Sequence, residues 1–419
     1  MRFTCSRRQI VKAILVCAVA LTVSAAQTPQ VSREDQWKQD LNYFADEFPA
    51  KHIDFAKLYP QPAFNNELSA LRSDITKLTD NEIVLRLMRL VASANVGHTY
   101  VYLPTLKLGF RPMPITFEWY SDGLAIVAAT PDNKAALGAR VLRIGNLTPE
   151  QLLAAVAPYI AHENDTWLRE QSPAFFQTVK VLKLTRAMGD DNRLELTLVK
   201  PGGEPFKLVV TPQAGEQQVS IFKALDIPVP LYRKHLDRYY WYEYLSDAHI
   251  LYIQYNQCAN DPKLPFKDFA DELLAFADAH QVDRVIVDLR WNGGGNSSIV
   301  WPLSIGLKKR PALSSRVFVL SGPKTFSSAQ DNAIGFQSYL HATLIGSSTG
   351  EKPNGYGEVR LITLPNSKLT IQYCTKYFKM VKDSDPSALE PDVRVPFYLA
   401  DELAGRDPVL DAAINYRSN

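Results

Sequence analysis

The run Val285-Ile286-Val287-Asp288-Leu289-Arg290-Trp291-Asn292-Gly293-Gly294-Gly295-Asn296 begins as almost unbroken apolar chain and ends in three consecutive glycines. A short apolar run without polar alternation predicts a strand covered on both faces. Three glycines directly after it let the backbone approach a ligand closely and aim its N–H groups at negative charge. No Lys-Ser/Thr pair follows, so the turn is not a phosphate loop, and its spacing is not that of a dinucleotide fingerprint. Two readings remain for it: a donor pair for a developing oxyanion, or a tight strand-to-helix turn.

The flanking sequence repeats the strand pattern. Ile250–Ile253, Val317–Leu320 and Thr343–Ile345 are apolar strands, and Phe266–His280 has the spacing of an amphipathic helix. Strands alternating with helices predict an α/β core with right-handed crossovers. Upstream, residues 33–96 read as helical. Thr79-x-x-Glu82 forms a capping box, and Ile83, Leu87, Leu90 and Ala94 share one face. Gly97 suits the helix C′ position, and His98 leads into a strand, Thr99–Leu103. Residues 104–215 are richer in strand signals. There Arg140–Ile144 is a strand, Gly145-Asn146 a turn, and Thr148-Pro149 a helix start. This unit resembles the core of a PDZ domain, which binds a peptide by adding it to a sheet edge; a generic β-rich insert is the alternative. Pro228 and Pro230 break the pattern near 215–235. The expected division is a leader 1–26, a helical region 27–103, a β-rich PDZ-like domain 104–215 and an α/β domain 216–419.

Residues 1–26 read as an export signal: a basic start, the apolar run Ile14–Val23, and a small-residue site Ser24-Ala25-Ala26. Ser6-Arg7-Arg8-Gln9-Ile10-Val11-Lys12 also resembles the twin-arginine pattern, leaving two routes to a periplasmic or extracellular location. No stable membrane anchor is expected once the leader is removed. The 419 residues are 46% hydrophobic and 21% charged, with a formal net charge of +2, which excludes a wholly disordered chain. Without the four leader bases, 42 basic residues face 44 acidic ones. A near-neutral chain offers nucleic acid no electrostatic footprint. Cys258 and Cys374 remain, too few for a disulfide framework, and read as separate buried thiols, with one bridge between them as the alternative.

Three segments could carry chemistry. Phe326-Ser327-Ser328-Ala329-Gln330 follows the strand 317–320 and opens a helical stretch to Leu340. A serine there feels the positive end of the helix dipole; the plain alternative is an N-cap. The glycine turn at 293–295 is the second segment. Gly346-Ser347-Ser348-Thr349-Gly350-Glu351-Lys352 is the third. It follows the strand 343–345, and adjacent parallel strands bring their loops to one rim of the sheet. A lysine there acts as a base only when neutral, which needs burial or a neighbouring cation.

Taken together, Val-Asp-Leu-Arg-x-Asn-Gly-Gly-Gly at 287–295, Thr-Phe-Ser-Ser-Ala at 325–329, Gly-x-x-Thr-Gly-x-Lys at 346–352 and Pro391-Asp392 resemble the S41 serine peptidases. These are the C-terminal processing and tail-specific proteases and their tricorn-like relatives. The resemblance covers roughly residues 235–400. It implies a core related to the crotonase and Clp protease folds, with a PDZ-like domain. It further implies a Ser327 nucleophile, a Lys352 general base, an oxyanion hole from the amides of Gly294 and Ser328, and no metal or cofactor. The substrate would be a polypeptide, held in part by its C-terminus. Gln330 stands where many processing proteases carry an acid, and Ser338 where some carry another.

Gly97-His98-Thr99-Tyr100 resembles the family's histidine motif. In tricorn-like members that histidine serves the serine, supported by a carboxylate shortly before a Pro-Asp pair, near Asp385 and Glu390 here. His98 is therefore the rival to Lys352, and imidazole is the easier base near neutral pH. Gly346–Gly350 also fits G-x-S-x-G, but Pro353 and Gly355 oppose the helix that motif needs. His162-Glu163 lacks the second histidine of a zinc helix. The cluster Tyr239-Tyr240-Trp241-Tyr242-Tyr244 reads as packing between domains, or as a groove lining. Two other functions stay open: a ligand-binding protein on the same scaffold, and an acyl transferase.

Overall fold

A computed structural model describes residues 31–103, 110–212 and 217–417. The expected export leader lies outside the described residues. Six strands form the central sheet, in the order Val393–Arg394, Thr343–Gly346, Val317–Ser321, Arg284–Asp288, Ile250–Tyr255, Tyr240–Leu245. The first five run parallel, and Tyr240–Leu245 closes one edge antiparallel. Successive residues of the strand Arg284–Asp288 serve opposite faces. Val285 and Val287 pack under the helices Phe266–Ala279, Trp301–Lys308 and Ser328–Leu340. Ile286 packs on the other face with Val409 and Leu410 of the helix Pro408–Ile414. Two covered faces explain why these strands lack polar alternation. The fold is the expected α/β class.

The family-like residues at the strand ends lock the loops. Asp288 accepts from Tyr252 at 2.8 Å, and Arg290 bridges Asp288 and Asp407 at 2.6 and 2.7 Å. Thr325 is fully buried and ties the loop before Ser327 to Leu289 O at 2.9 Å. Asp392 accepts from the amide of Leu344 at 2.8 Å, pinning the neighbouring strand.

Upstream, the helices Arg33–Lys51, Gln61–Ser73 and Asp80–Ala92 share one apolar core. Thr79 and Glu82 form the expected capping box. Asn95 (φ 50°), not Gly97, adopts the left-handed conformation after the last of these helices. Gly97 is instead needed for close approach: a Cβ there would sit 3.1 Å from both Glu163 Oε2 and Phe326 Cζ. The strand after His98 is short, Tyr100–Val101, and pairs with the long hairpin Asn354–Thr363/Thr370–Lys379. The second sheet joins Ile115–Tyr120, Gly123–Ala129, Arg140–Ile144, Leu194–Val199 and Phe206–Val210 in that order. The helix Pro149–Val156 begins at a Thr148/Gln151 capping box. This region also holds the helices Asp165–Phe176 and Val179–Leu184, which the strand-rich reading omits. The aromatic cluster at 239–244 is neither a domain contact nor a groove lining. Tyr240 and Tyr242 pack on Phe266, Phe269 and Phe276, inside the core of the central sheet. Cys258 and Cys374 are buried and free. Among the described residues, no helix is long and apolar enough to cross a membrane.

Candidate active site

Ser327 immediately precedes the helix Ser328–Leu340, with φ 54° and ψ −133°. A non-glycine residue in that region is strained by about 1–3 kcal/mol and persists only where its surroundings dictate it. Gly294 (φ 106°) makes room for it: a Cβ on Gly294 would fall 2.7 Å from Ser327 Cβ. The Ser327 side chain makes no capping bond, so the N-cap reading does not account for it. Its amide donates to Glu351 Oε2 at 2.6 Å.

The other oxygen of Glu351 faces His98. His98 Nδ1 lies 3.1 Å from Glu351 Oε1, and both side chains are below 10% exposed. One buried carboxylate thus joins the residue carrying the hydroxyl to the imidazole. Phe326 lies against His98 with ring centroids 4.5 Å apart and stacks on Trp167 at 4.0 Å. Burial lowers the basicity of the ring, but Glu351, Glu163 and Asp331 together outweigh it, so the His98 pKa sits above its ordinary value. The same crowding acts on the acids. Burial, reinforced by Glu351, pushes Glu163 up to about 8. Burial and Glu351 likewise push Asp331 up to about 6. Glu163 Oε2 is buried without a hydrogen-bond partner.

Ser327, Ser328, His98, Glu351, Lys352 and Asp331 line one cleft of about 970 Å³. Lys352 is present there, but its Nζ is 2.7 Å from Asp385 Oδ2, with the lysine side chain 28% exposed and the aspartate 59%. Glu390 accepts from Ser348 at 2.8 Å and pairs with Arg394. Neither Asp385 nor Glu390 is the carboxylate on His98. The Gly294 amide donates to the side chain of buried Asn292 at 2.9 Å, while Gly293 and Gly295 border the cleft. Ser328 Oγ donates to Gly295 O at 2.8 Å, tying the glycine turn to the helix start. Gln330, in place of the family acid, is buried and accepts from Thr349 Oγ1.

Sequence reasoning passed over Glu351, Glu163 and Asp331 as site residues. Glu351 is directly beside Lys352 in the same motif. Adjacent residues on extended chain point apart, so one of that pair turns inward and the other outward. Asp331 sits four residues after Ser327 on its helix, a spacing that returns to the same face.

No family model matches the chain, and no curated protein matches it either. Among solved structures it resembles mature CPAF complexed with lactacystin. The TM-score is 0.61 at 13% identity, over 91% of this chain and 99% of that one. It also resembles a serine-to-alanine mutant of CPAF, with a TM-score of 0.59 at 13% identity, over 92% and 99%. The photosystem II D1 C-terminal processing protease matches at 12% identity over 92% and 99%, with a TM-score of 0.42. At such identities the CPAF likeness is one of fold, and it extends over nearly the whole of both chains.

Proposed function

We propose that this chain is an exported serine peptidase of the S41 type, in which Ser327, His98 and Glu351 act together. One observation carries the reading: Glu351 spans from the His98 ring to the amide of a strained serine at a helix N-terminus. With Glu351 Oε1 3.1 Å from Nδ1, the carboxylate favours the proton on that nitrogen and leaves the lone pair of Nε2 for the Ser327 hydroxyl. Ser327 Oγ attacks the scissile carbonyl as the proton passes to His98, and Glu351 stabilises the imidazolium. The Ser328 amide, at the positive end of its helix, and an amide of the glycine turn receive the oxyanion. His98 returns the proton to the leaving amine, and water then cleaves the acyl-enzyme by the same relay.

This reading gives His98 the role that the family resemblance offers to Lys352. A lysine base must reach the hydroxyl from a buried setting, whereas Lys352 Nζ is engaged 2.7 Å from Asp385 Oδ2 and its side chain is 28% exposed. Export through the leader, and capture of a substrate C-terminus by a PDZ-like unit over 104–215, complete the proposal. The Gly294 amide enters the oxyanion site only by leaving Asn292, so Gly293 or Gly295 is the readier partner for Ser328. The test is casein or tailed-peptide hydrolysis by the parent and by Ser327→Ala. A folded Ser327→Ala should lose at least about 1,000-fold in turnover; equal degradation by both would defeat the reading.

A further inference from the structure

The glycine turn and the nucleophile loop are joined a second time, away from the cleft contacts. Trp291 lies two residues before Gly293, and Lys324 three residues before Ser327. Lys324 Nζ stands 3.5 Å from the centroid of the Trp291 ring. The guanidinium of Arg233 contacts the same ring at 4.9 Å. Each cation is held in place by acids. Lys324 lies 3.6 Å from Glu170. Arg233 pairs with Glu118 at 2.8 Å and with Glu402 at 2.7 Å. Cations over an indole face are attracted by its ring quadrupole, more strongly where water is excluded. Arg233 is about one-tenth exposed and Lys324 about one-third.

We propose that Trp291 and Lys324 are positioning residues: a cation–ring clamp that sets the spacing between the glycine turn and Ser327, and so the geometry of the oxyanion site. The proposal rests on the peptidase reading for its kinetic consequence, but not for the clamp itself. Neither residue touches the reacting atoms. Their effect is on where the amides at 293–295 and 328 stand when the tetrahedral intermediate forms. A shift of about 1 Å at such donors costs on the order of 100-fold in rate.

The experiment compares the parent with Lys324→Met, Lys324→Arg and Trp291→Phe by two readouts. The first is amide hydrogen exchange over 293–295 and 326–328, which needs no activity. Lys324→Met should speed exchange in both segments, Lys324→Arg should restore it, and Trp291→Phe should fall between. The second is steady-state hydrolysis of a peptide. Lys324→Met should lower kcat by about 10- to 100-fold with KM within about threefold, and Lys324→Arg should return kcat to within about threefold of the parent. Unchanged exchange at 293–295 in Lys324→Met overturns the clamp. So does a loss in Lys324→Met that arginine fails to rescue, or one confined to KM. If exchange responds as expected while the parent shows no Ser327-dependent hydrolysis, the clamp stands and the peptidase reading falls.

Discussion

At the residue scale, Ser327 combines a strained backbone with a side chain that caps nothing. The strain predicts a separation of stability from chemistry. Glycine tolerates positive φ at little cost. Ser327→Gly should therefore be more stable than Ser327→Ala by about 1 kcal/mol in urea titrations, with both variants inactive. Equal stabilities would mean that the backbone relaxes once the hydroxyl is gone. Ser327 itself was legible from its place after a strand and before a helix. His98 was singled out only by its resemblance to a family motif, as the rival to Lys352, and Glu351 was not singled out at all. The two lie far apart in the chain, and spacing carries no signal for a contact made only by tertiary packing. Lysine drew attention at 352 because charge and motif single it out there. The quieter Glu351 before it is the one turned into the protein.

At the scale of elements, the strand Arg284–Asp288 and its turn set the site. Gly294 must lack a Cβ because Ser327 Cβ occupies that space, and its own φ of 106° disfavours any side chain. Gly294→Ala should cost roughly 2 kcal/mol or more of stability and abolish hydrolysis, checked by denaturant melts and peptide turnover. The parallel strands were readable because burial on both faces leaves an unbroken apolar run. The Thr79/Glu82 box was readable because capping is local chemistry. The helix Asp165–Phe176 was not. It carries Pro173 inside it, and it sits in a segment whose neighbours alternate like strands. One of its fastenings, the stack of Trp167 on Phe326, joins parts of the chain that sequence pattern does not connect. Gly97 was readable as a special position but not for the right reason, since the crowding comes from Glu163 and Phe326.

At the scale of the whole molecule, the acids gathered around His98 and Lys324 make stability depend on pH. Burial pushes Glu163 up to about 8, Glu170 to about 7 and Asp331 to about 6. Each is raised above its unfolded value, so the folded chain binds more protons than the unfolded one between those limits. Their contribution is most favourable below about pH 4 and is lost as pH rises through each folded value. The melting temperature of Glu163→Gln should accordingly gain on the parent between pH 5 and pH 9; a constant difference across that range would contradict the raised pKa. The same cluster raises the His98 pKa, so hydrolysis should climb with pH through a value above the usual histidine range. That rise in hydrolysis depends on imidazole, not amine, activating Ser327. The most direct measurement is kcat/KM for one peptide at pH 8 with folded His98→Ala and Lys352→Ala. The histidine variant should lose at least about 1,000-fold and the lysine variant less than about tenfold. The reverse order would contradict activation by His98.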